Sequence, residues 1–276
     1  MAVRSGYPKI TYFLVIAWAV FTLFPLAYMI YSSFLSPDDI KVGSISFLSN
    51  LGKLSPVNYA EIFKSSYISG WFLNSVIICV IITAAQLLIN GMAGYALAKK
   101  KFGLREPVFW TIIAVMMVPS QIVCIPLFIM ICDMRLIDTF LAVILPSLVS
   151  PFGIFMVRQF MQTLPDEVLD SARIDGCSEF GLFFRIVLPM STPVFATLGT
   201  FVFIANWNAF LWPLLVLFSE DKYTLSVGLA TFQGQHLIDY GLLMAGATVS
   251  AVPVFVAFIF FSRYIIKGAT EGAVKG

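Results

Sequence analysis

The chain has 276 residues, 59% of them hydrophobic and 12% charged, with a formal net charge of +2. A mean hydropathy of +0.92 exceeds what the core of a water-soluble domain of this length requires, which excludes an ordinary soluble enzyme or binding module. The chain belongs in a lipid bilayer, and so small a net charge gives no sign of a nucleic-acid partner.

Crossing about 30 Å of hydrocarbon takes roughly 20 helical residues. Six apolar stretches reach that length: Ile10–Phe34, Gly70–Ala98, Val108–Ile131, Thr139–Val157, Val187–Phe218 and Tyr240–Ser262. They predict an all-α membrane protein with six transmembrane helices, a single domain over residues 1–276. Arg4 and Lys9 precede the first stretch as in a secretory leader. The stretch is about twice as long as a leader's apolar core and no small-x-small site follows Phe34, so it is expected as a retained helix.

In chain order, the outer loop Ser36–Ser69 comes next, followed by a second span with the polar positions Gln86 and Asn90. The run Lys99-Lys100-Lys101 behind it reads as a positive-inside anchor. Pro119, Pro126, Pro146 and Pro193 interrupt later spans, either as packing kinks or as the broken helices that line ion sites. Cys79, Cys124, Cys132 and Cys177 show no CxxC spacing and read as small buried hydrophobes. His236, the single histidine, reads as an ordinary residue of the loop Glu220–Asp239. Gly241, Ala245, Gly246 and Ser250 in the last span are of a size that permits close helix packing.

Lysine and arginine settle the expected orientation, since they are retained on the cytoplasmic side. Twelve of the 17 basic residues fall on one side: Arg4, Lys9, Lys99, Lys100, Lys101, Arg105, Arg158, Arg173, Arg185, Arg263, Lys267 and Lys275. Lys41, Lys53, Lys64, Arg135 and Lys222 fall on the other. Both termini and the segment Leu164–Arg185 are therefore expected in the cytoplasm of a bacterial or archaeal cell, the chain being a multi-pass protein of its inner membrane. No Asp, Glu, Lys or Arg lies within the six stretches, whereas proton-coupled carriers place ionisable groups there. No GxxxxGK[ST] loop is present to hold nucleotide phosphates, and no nucleophile–base pair or zinc-ligand spacing is visible. The pattern suits a transporter whose fuel is spent by another subunit.

Residues 163–189 carry the charge that the spans avoid. Thr163 is expected to cap a helix whose first turn holds Pro165, Asp166 and Glu167, residues suited to the positive end of the helix dipole. Leu164, Val168 and Ala172 recur at i, i+4 and i+8 and predict one apolar face, with Asp166, Asp170 and Arg173 directed elsewhere. Gly176 is expected to end that helix in the left-handed conformation, and Ser178 to cap a second one carrying Phe180, Phe183, Phe184 and Val187. Pro189 marks the return to the membrane. A helix, a tight glycine turn and a second amphipathic helix form a knob able to enter a cleft of a cytoplasmic partner.

Here the residues resemble a family signature. Asp170-Ser171-Ala172, Asp175-Gly176 and Ile186-Val187-Leu188-Pro189 look like the EAA loop of ATP-binding cassette (ABC) importer permeases, which runs Glu-Ala-Ala, Asp-Gly three residues later, then Ile-x-Leu-Pro. Asp170, Ser171 and Cys177 depart from that pattern while keeping the charge and the turn. Asn58-Tyr59, Gly94-Tyr95-Ala96-Leu97-Ala98, Val118-Pro119-Ser120-Gln121, Asp138-Thr139, Trp207-Asn208 with Phe210-Leu211-Trp212-Pro213-Leu214, and the tail Gly272–Gly276 extend the resemblance over nearly the whole chain. Together they resemble the six-span subunit of maltose-type carbohydrate importers.

The resemblance implies a type I importer permease fold and a coupling loop that seats in the ATPase subunit, with Glu167, Asp170, Ser171, Ala172, Asp175, Gly176, Leu188 and Pro189 as its residues. It implies a homologous second permease in a heterodimer, two ATP-binding cassette subunits and an extracytoplasmic solute-binding protein. The chain binds no cofactor of its own, ATP and Mg being held by the partner subunits. The cytoplasmic tail, residues 268–276, is expected to reach the ATPase pair. Gln121, Asn206, Trp207, Asn208 and Trp212 form a candidate solute pathway, since amides bond hydroxyls and aromatic faces cover sugar rings. Helix packing is the competing reading of each of these, and also of Thr248. Glycerol-phosphate-type or other polyol cargo, and an ion-coupled carrier, stay open as alternatives.

Overall fold

The computed structural model describes residues 9–36, 40, 54–64, 66–235 and 240–273, with the side chains of the last helix described to residue 260. Lys41, Lys53, His236, Asp239 and residues 274–276 lie outside the described residues, and with them the expectations placed on that histidine and on the end of the tail. The chain divides into two compact units, Met1–Ser69 with Leu229–Val252, and Gly70–Gly228 with Pro253–Gly276.

In the first unit, α1 (Lys9–Ser32) is apolar all round, and its apolar window is exposed along its whole length. A helix of that kind is stable only in hydrocarbon or against another apolar surface. Beyond α1, α2 (Val57–Lys64) is held by the buried Asn58, whose Nδ2 donates to Ser33 O and Leu35 O, both at 2.8 Å. The start of α14 (Tyr240–Ala273) closes on this turn. A Cβ at Gly241 would lie 2.7 Å from Asn58 Nδ2, and Ala245 is fully buried, as the small residues predicted.

The second unit is built on α3 (Ser66–Lys99), a 34-residue helix with no proline. It packs against α7 (Pro151–Met161), which Ser150 caps by accepting from Gly153 N at 3.2 Å. The approach needs glycine on both helices. A Cβ at Gly94 would fall 2.6 Å from Val157 Cγ1, and one at Gly153 would overlap the Asn90 amide. Gln86 Nε2 donates to Ser147 O at 2.6 Å, while Asn90 accepts from Ser150 N at 3.2 Å and donates to Gln86 at 3.3 Å. These two amides hold helices together and so follow the packing reading. Arg158, 6% exposed, lies 3.6 Å from the Phe109 ring centroid and donates to Leu97 O and Glu106.

Three of the six expected spans are not single helices. Val108–Ile131 is α4 (Arg105–Met116) and α5 (Ser120–Asp133), bent by 101°. Pro119 removes an amide and forces Val118 out of helical geometry, so the break falls where the sequence puts it. The chain continues through α6 (Phe140–Ile144), a 3-10 turn at Leu145–Ser147 and α7, a span of 22 residues over Phe140–Met161. Val187–Phe218 is likewise not continuous. It comprises the end of a bent pair, 82° at Ser191, then α11 (Thr192–Trp207), a break at 208–210 and α12 (Leu211–Val216). Among the described residues, four helices are long and apolar enough to cross a membrane, or six if each bent pair is one span. A 3-10 turn at Glu220–Lys222 and α13 (Leu225–Gln235) follow in chain order.

Candidate functional site

The knob starts with α8 (Asp166–Ile174), and Thr163 is not its cap. Pro165 occupies that position without a side-chain bond, and the Thr163 hydroxyl donates back to Phe160 O at 2.8 Å. Because helical geometry begins at Asp166, Leu164 is outside the helix register and the expected Leu164–Val168–Ala172 face does not form. Leu169 (1% exposed) and Ala172 (8%) are the buried pair of the helix, Leu164 before it is buried too, and Val168 turns outward.

The helix ends as predicted. Gly176 has φ of 81°, its N–H donates to Arg173 O at 3.0 Å, and Cys177 N–H donates to Ala172 O at 3.0 Å. This is the paired 5→2 and 6→1 closure that satisfies the last carbonyls. Ser178 then caps α9 (Glu179–Leu182) by accepting from Gly181 N at 3.2 Å. Pro189 has no amide for Arg185 O, and the preceding turn, Phe183–Val187, widens to π geometry, with Leu188 N–H reaching Phe183 O. A short helix, α10 (Leu188–Met190), follows before the bend at Ser191.

The outer surface of the knob is acidic and apolar together. Glu167, Asp170, Ser171, Asp175 and Pro189 are exposed, as are Val168, Ile174 (86%), Phe180 (72%) and Phe184. Ser171 donates to Val168 O at 3.0 Å, and Asp170 accepts from Arg173 at 2.6 Å. Of the expected coupling residues only Ala172 is buried, and Leu188 is half-buried. Apolar side chains this exposed on so short a segment make the knob a candidate contact surface.

Sequence reading missed what grips the knob from behind. Lys99, whose side chain is 6% exposed, donates to Leu164 O at 2.6 Å and Asp166 at 2.7 Å, and that bond holds the Asp166 carboxyl below the usual carboxylate range. Lys100 pairs with Glu179, which also accepts from Tyr95 at 3.2 Å and lies 3.4 Å from Arg173. The lysine run supplied the signal, but topology alone explained its charge.

A cavity of about 380 Å³ is lined by α3 (Ser75, Cys79), α5 (Ser120, Gln121, Cys124), Pro146, Asn206, Phe210, Trp212 and Thr224. It brings Gln121, Asn206 and Trp212 together. Trp207 is buried elsewhere, its ring 5.8 Å from Phe203 and 5.6 Å from Phe72, and the exposed Asn208 does not line the cavity. Asn206 Nδ2 donates to Val202 O and Trp212 Nε1 to Ala142 O. A larger groove, about 1170 Å³, between α3, α11 and the proline-bearing part of α14 is walled by residues such as Leu87, Phe184, Leu188, Phe195 and Phe260, with threonines as its polar groups. It suits hydrocarbon better than a sugar.

Asp138 fastens two loops. It has φ of 59°, its amide donates to Val216 O, and its carboxylate accepts from the Phe218 and Ser219 amides, the Ser219 hydroxyl (2.5 Å) and Lys222 (2.9 Å). Partial burial opposes ionisation, but these donors outweigh it and hold the carboxyl well below the usual range. Trp71 and Asn74 of α3 bond the same turn at Glu220 O, Asp221 O and Tyr223 O.

Residues 90–271 match the family described as "Binding-protein-dependent transport system inner membrane component". The arabinooligosaccharides transport system permease protein of Halalkalibacterium halodurans is 39% identical, over 99% of both chains. The lactose transport system permease protein of Rhizobium radiobacter is 32% identical over 99% of this chain and 98% of that one. Among solved structures, a bacterial ABC transporter involved in the import of the acidic polysaccharide alginate matches 96% of this chain and 99% of its own with a TM-score of 0.84 at 20% identity, a likeness of fold. The fold is that of a type I importer permease, and the chain belongs to the binding-protein-dependent transport system inner membrane components, the permease subunits of ABC transporters.

Proposed function

We propose that this permease subunit imports a neutral carbohydrate, an oligosaccharide or small sugar, on energy from ATP hydrolysed by partner subunits. The knob carries the proposal: an exposed acidic and apolar surface built around the Gly176 turn, on a chain whose six apolar stretches hold no Asp, Glu, Lys or Arg. It seats in one of two ATPase subunits, which bind ATP and Mg. A second, homologous permease completes the pathway, and an extracytoplasmic binding protein delivers the solute to loops at the opposite end. The arrangement of basic residues supports a cytoplasmic knob and cytoplasmic termini. ATP binds the closed ATPase pair better than the open one, and that difference in affinity shifts the spans from inward to outward access.

The relatives named for arabinooligosaccharides and lactose support a sugar. The cavity supports a neutral one: Gln121 and Asn206 offer amides, Trp212 and Phe210 offer aromatic faces, and no Lys or Arg lines it. A phosphorylated polyol would enter without a cationic partner, at a heavy desolvation cost. The test is uptake into proteoliposomes holding the whole transporter, with a panel of sugars, a sugar phosphate, and vanadate. ATP-dependent, vanadate-sensitive uptake of a neutral sugar is expected; uptake driven by an ion gradient without nucleotide would refute the reading.

A further inference from the structure

The knob feeds α11 directly, yet that connection is poorly suited to carry force. Between Leu182 and Thr192 the chain passes through a π turn, Pro189 and an 82° bend at Ser191. A push along the knob would be absorbed where the hydrogen-bond ladder is broken.

The alternative path is α3. Its part in the second unit, Gly70–Lys99, is one proline-free helix of 30 residues, about 45 Å at 1.5 Å per residue. Its final turns hold the knob at two places, Lys99 on Leu164 O and Asp166 where α8 begins, and Lys100 with Tyr95 on Glu179 where α9 begins. Arg173 bridges Asp170 and Glu179, so the two grips are also tied to each other. At its other end Trp71 and Asn74 bond the turn Glu220–Tyr223, and Ser75 lines the cavity. One unbroken helix therefore touches both the knob and the lining of the cavity.

We propose that Lys99 and Lys100 are positioning residues that clamp the knob to α3, making α3 the rod that carries the ATPase stroke to the far end of the solute cavity. The proposal rests on the importer reading above. Lys99 is the stronger grip. Its ammonium is withdrawn from solvent and can stay there only while Leu164 O and Asp166 receive it, so knob and helix end move as one body. Glu179 is half exposed, and its pair with Lys100 is steadied by Tyr95 and Arg173, which makes it a network and not a single surface ion pair.

The experiment uses the whole transporter in proteoliposomes and reads solute taken up per ATP hydrolysed, together with the ATPase rate. Lys99→Gln and Lys100→Glu should each lower the uptake-to-ATP ratio on the order of 5- to 10-fold, the scale of a coupling loss of this kind, with ATPase turnover retained. The double exchange Lys100→Glu with Glu179→Lys should recover at least half of the ratio, a rescue that loss of fold would not give. Lys101→Gln, an exposed neighbour, should leave the ratio unchanged. Wild-type ratios in Lys99→Gln and Lys100→Glu, or no recovery in the exchange, overturn the rod. A wild-type complex that shows no ATP-driven uptake refutes the importer reading instead.

Discussion

Gly176→Val isolates the cost of one backbone conformation. At φ of 81° the residue sits in the left-handed region, and a Cβ there would meet no atom within 4 Å. The penalty is therefore conformational and not steric against the rest of the fold. Holding an ordinary L-residue left-handed costs roughly 1–2 kcal/mol, and a β-branched side chain sits at the upper end of that range. With about 1.4 kcal/mol to each factor of ten, the valine chain populates the closed turn on the order of tenfold less, relative to opened forms, than the glycine chain. Opening the turn releases the bonds to Arg173 O and Ala172 O and swings Ile174 and Phe180 apart, so the docking surface is lost while Leu169 and Leu182 stay in the core. Gly176→Asn, which tolerates the left-handed region, should fall between the two. The measurement is uptake per ATP in proteoliposomes, beside the affinity of the ATPase subunit for the permease pair. Equal loss in Asn and Val, or wild-type coupling in Val, would refute the conformational argument.

Gly94→Val should lower the thermal midpoint of the purified complex, since its Cβ would fall 2.6 Å from Val157 Cγ1 and overpacking costs about 1–3 kcal/mol. Ile174→Asp, at a position 86% exposed, should leave that midpoint unchanged and weaken binding of the ATPase subunit by tenfold or more, at least about 1.4 kcal/mol as for a buried interface anchor; unchanged affinity counts against the docking surface. Asp138→Asn should loosen the turn at Phe218–Tyr223 at every pH, seen as faster amide exchange at Phe218 and Ser219. In the native chain the Asp138 pKa is depressed, so its fastening is fully present above the unfolded value of about 3.9 and is lost only as pH falls through the folded one. Acidifying the medium from pH 7 to 5 should therefore leave exchange at those amides without an added Asp138 effect.

Local signals carried the knob. A glycine that needs positive φ, a serine before an apolar run and a proline that ends a ladder each act within a few residues, and Gly176, Ser178 and Pro189 do what their chemistry requires. Register failed where it depended on a helix boundary. Val168 was assigned to the buried face by counting from Leu164, and the helix starts two residues later, which rotates the buried stripe onto Leu169 and Ala172. Apolarity found the fifth span but not its shape, because the bend at Ser191 and the break at 208–210 leave hydropathy unchanged. The solute residues divided the same way. Gln121, Asn206 and Trp212 come together only through folding of α5, α11 and α12, and nothing local distinguishes Trp212 from Trp207, which serves the core.

The lysine run shows why one residue can answer to two rules. Orientation is decided by charge in the segments flanking the spans, before tertiary partners exist, and Lys99, Lys100 and Lys101 satisfy it whatever they later bind. Folding then places Leu164 O, Asp166 and Glu179 within reach of Lys99 and Lys100 across more than 60 residues of chain, a relation no periodicity encodes. Charge that reads as a topological anchor is thus also charge that fastens the knob. The two roles separate under substitution. Arginine keeps the positive charge, and so keeps topology, but its broad planar head cannot reproduce the compact Lys99 ammonium between a carbonyl and a carboxylate. Lys99→Arg should therefore insert normally while transporting fewer molecules per ATP, and normal coupling in that variant would reduce Lys99 to a topological anchor.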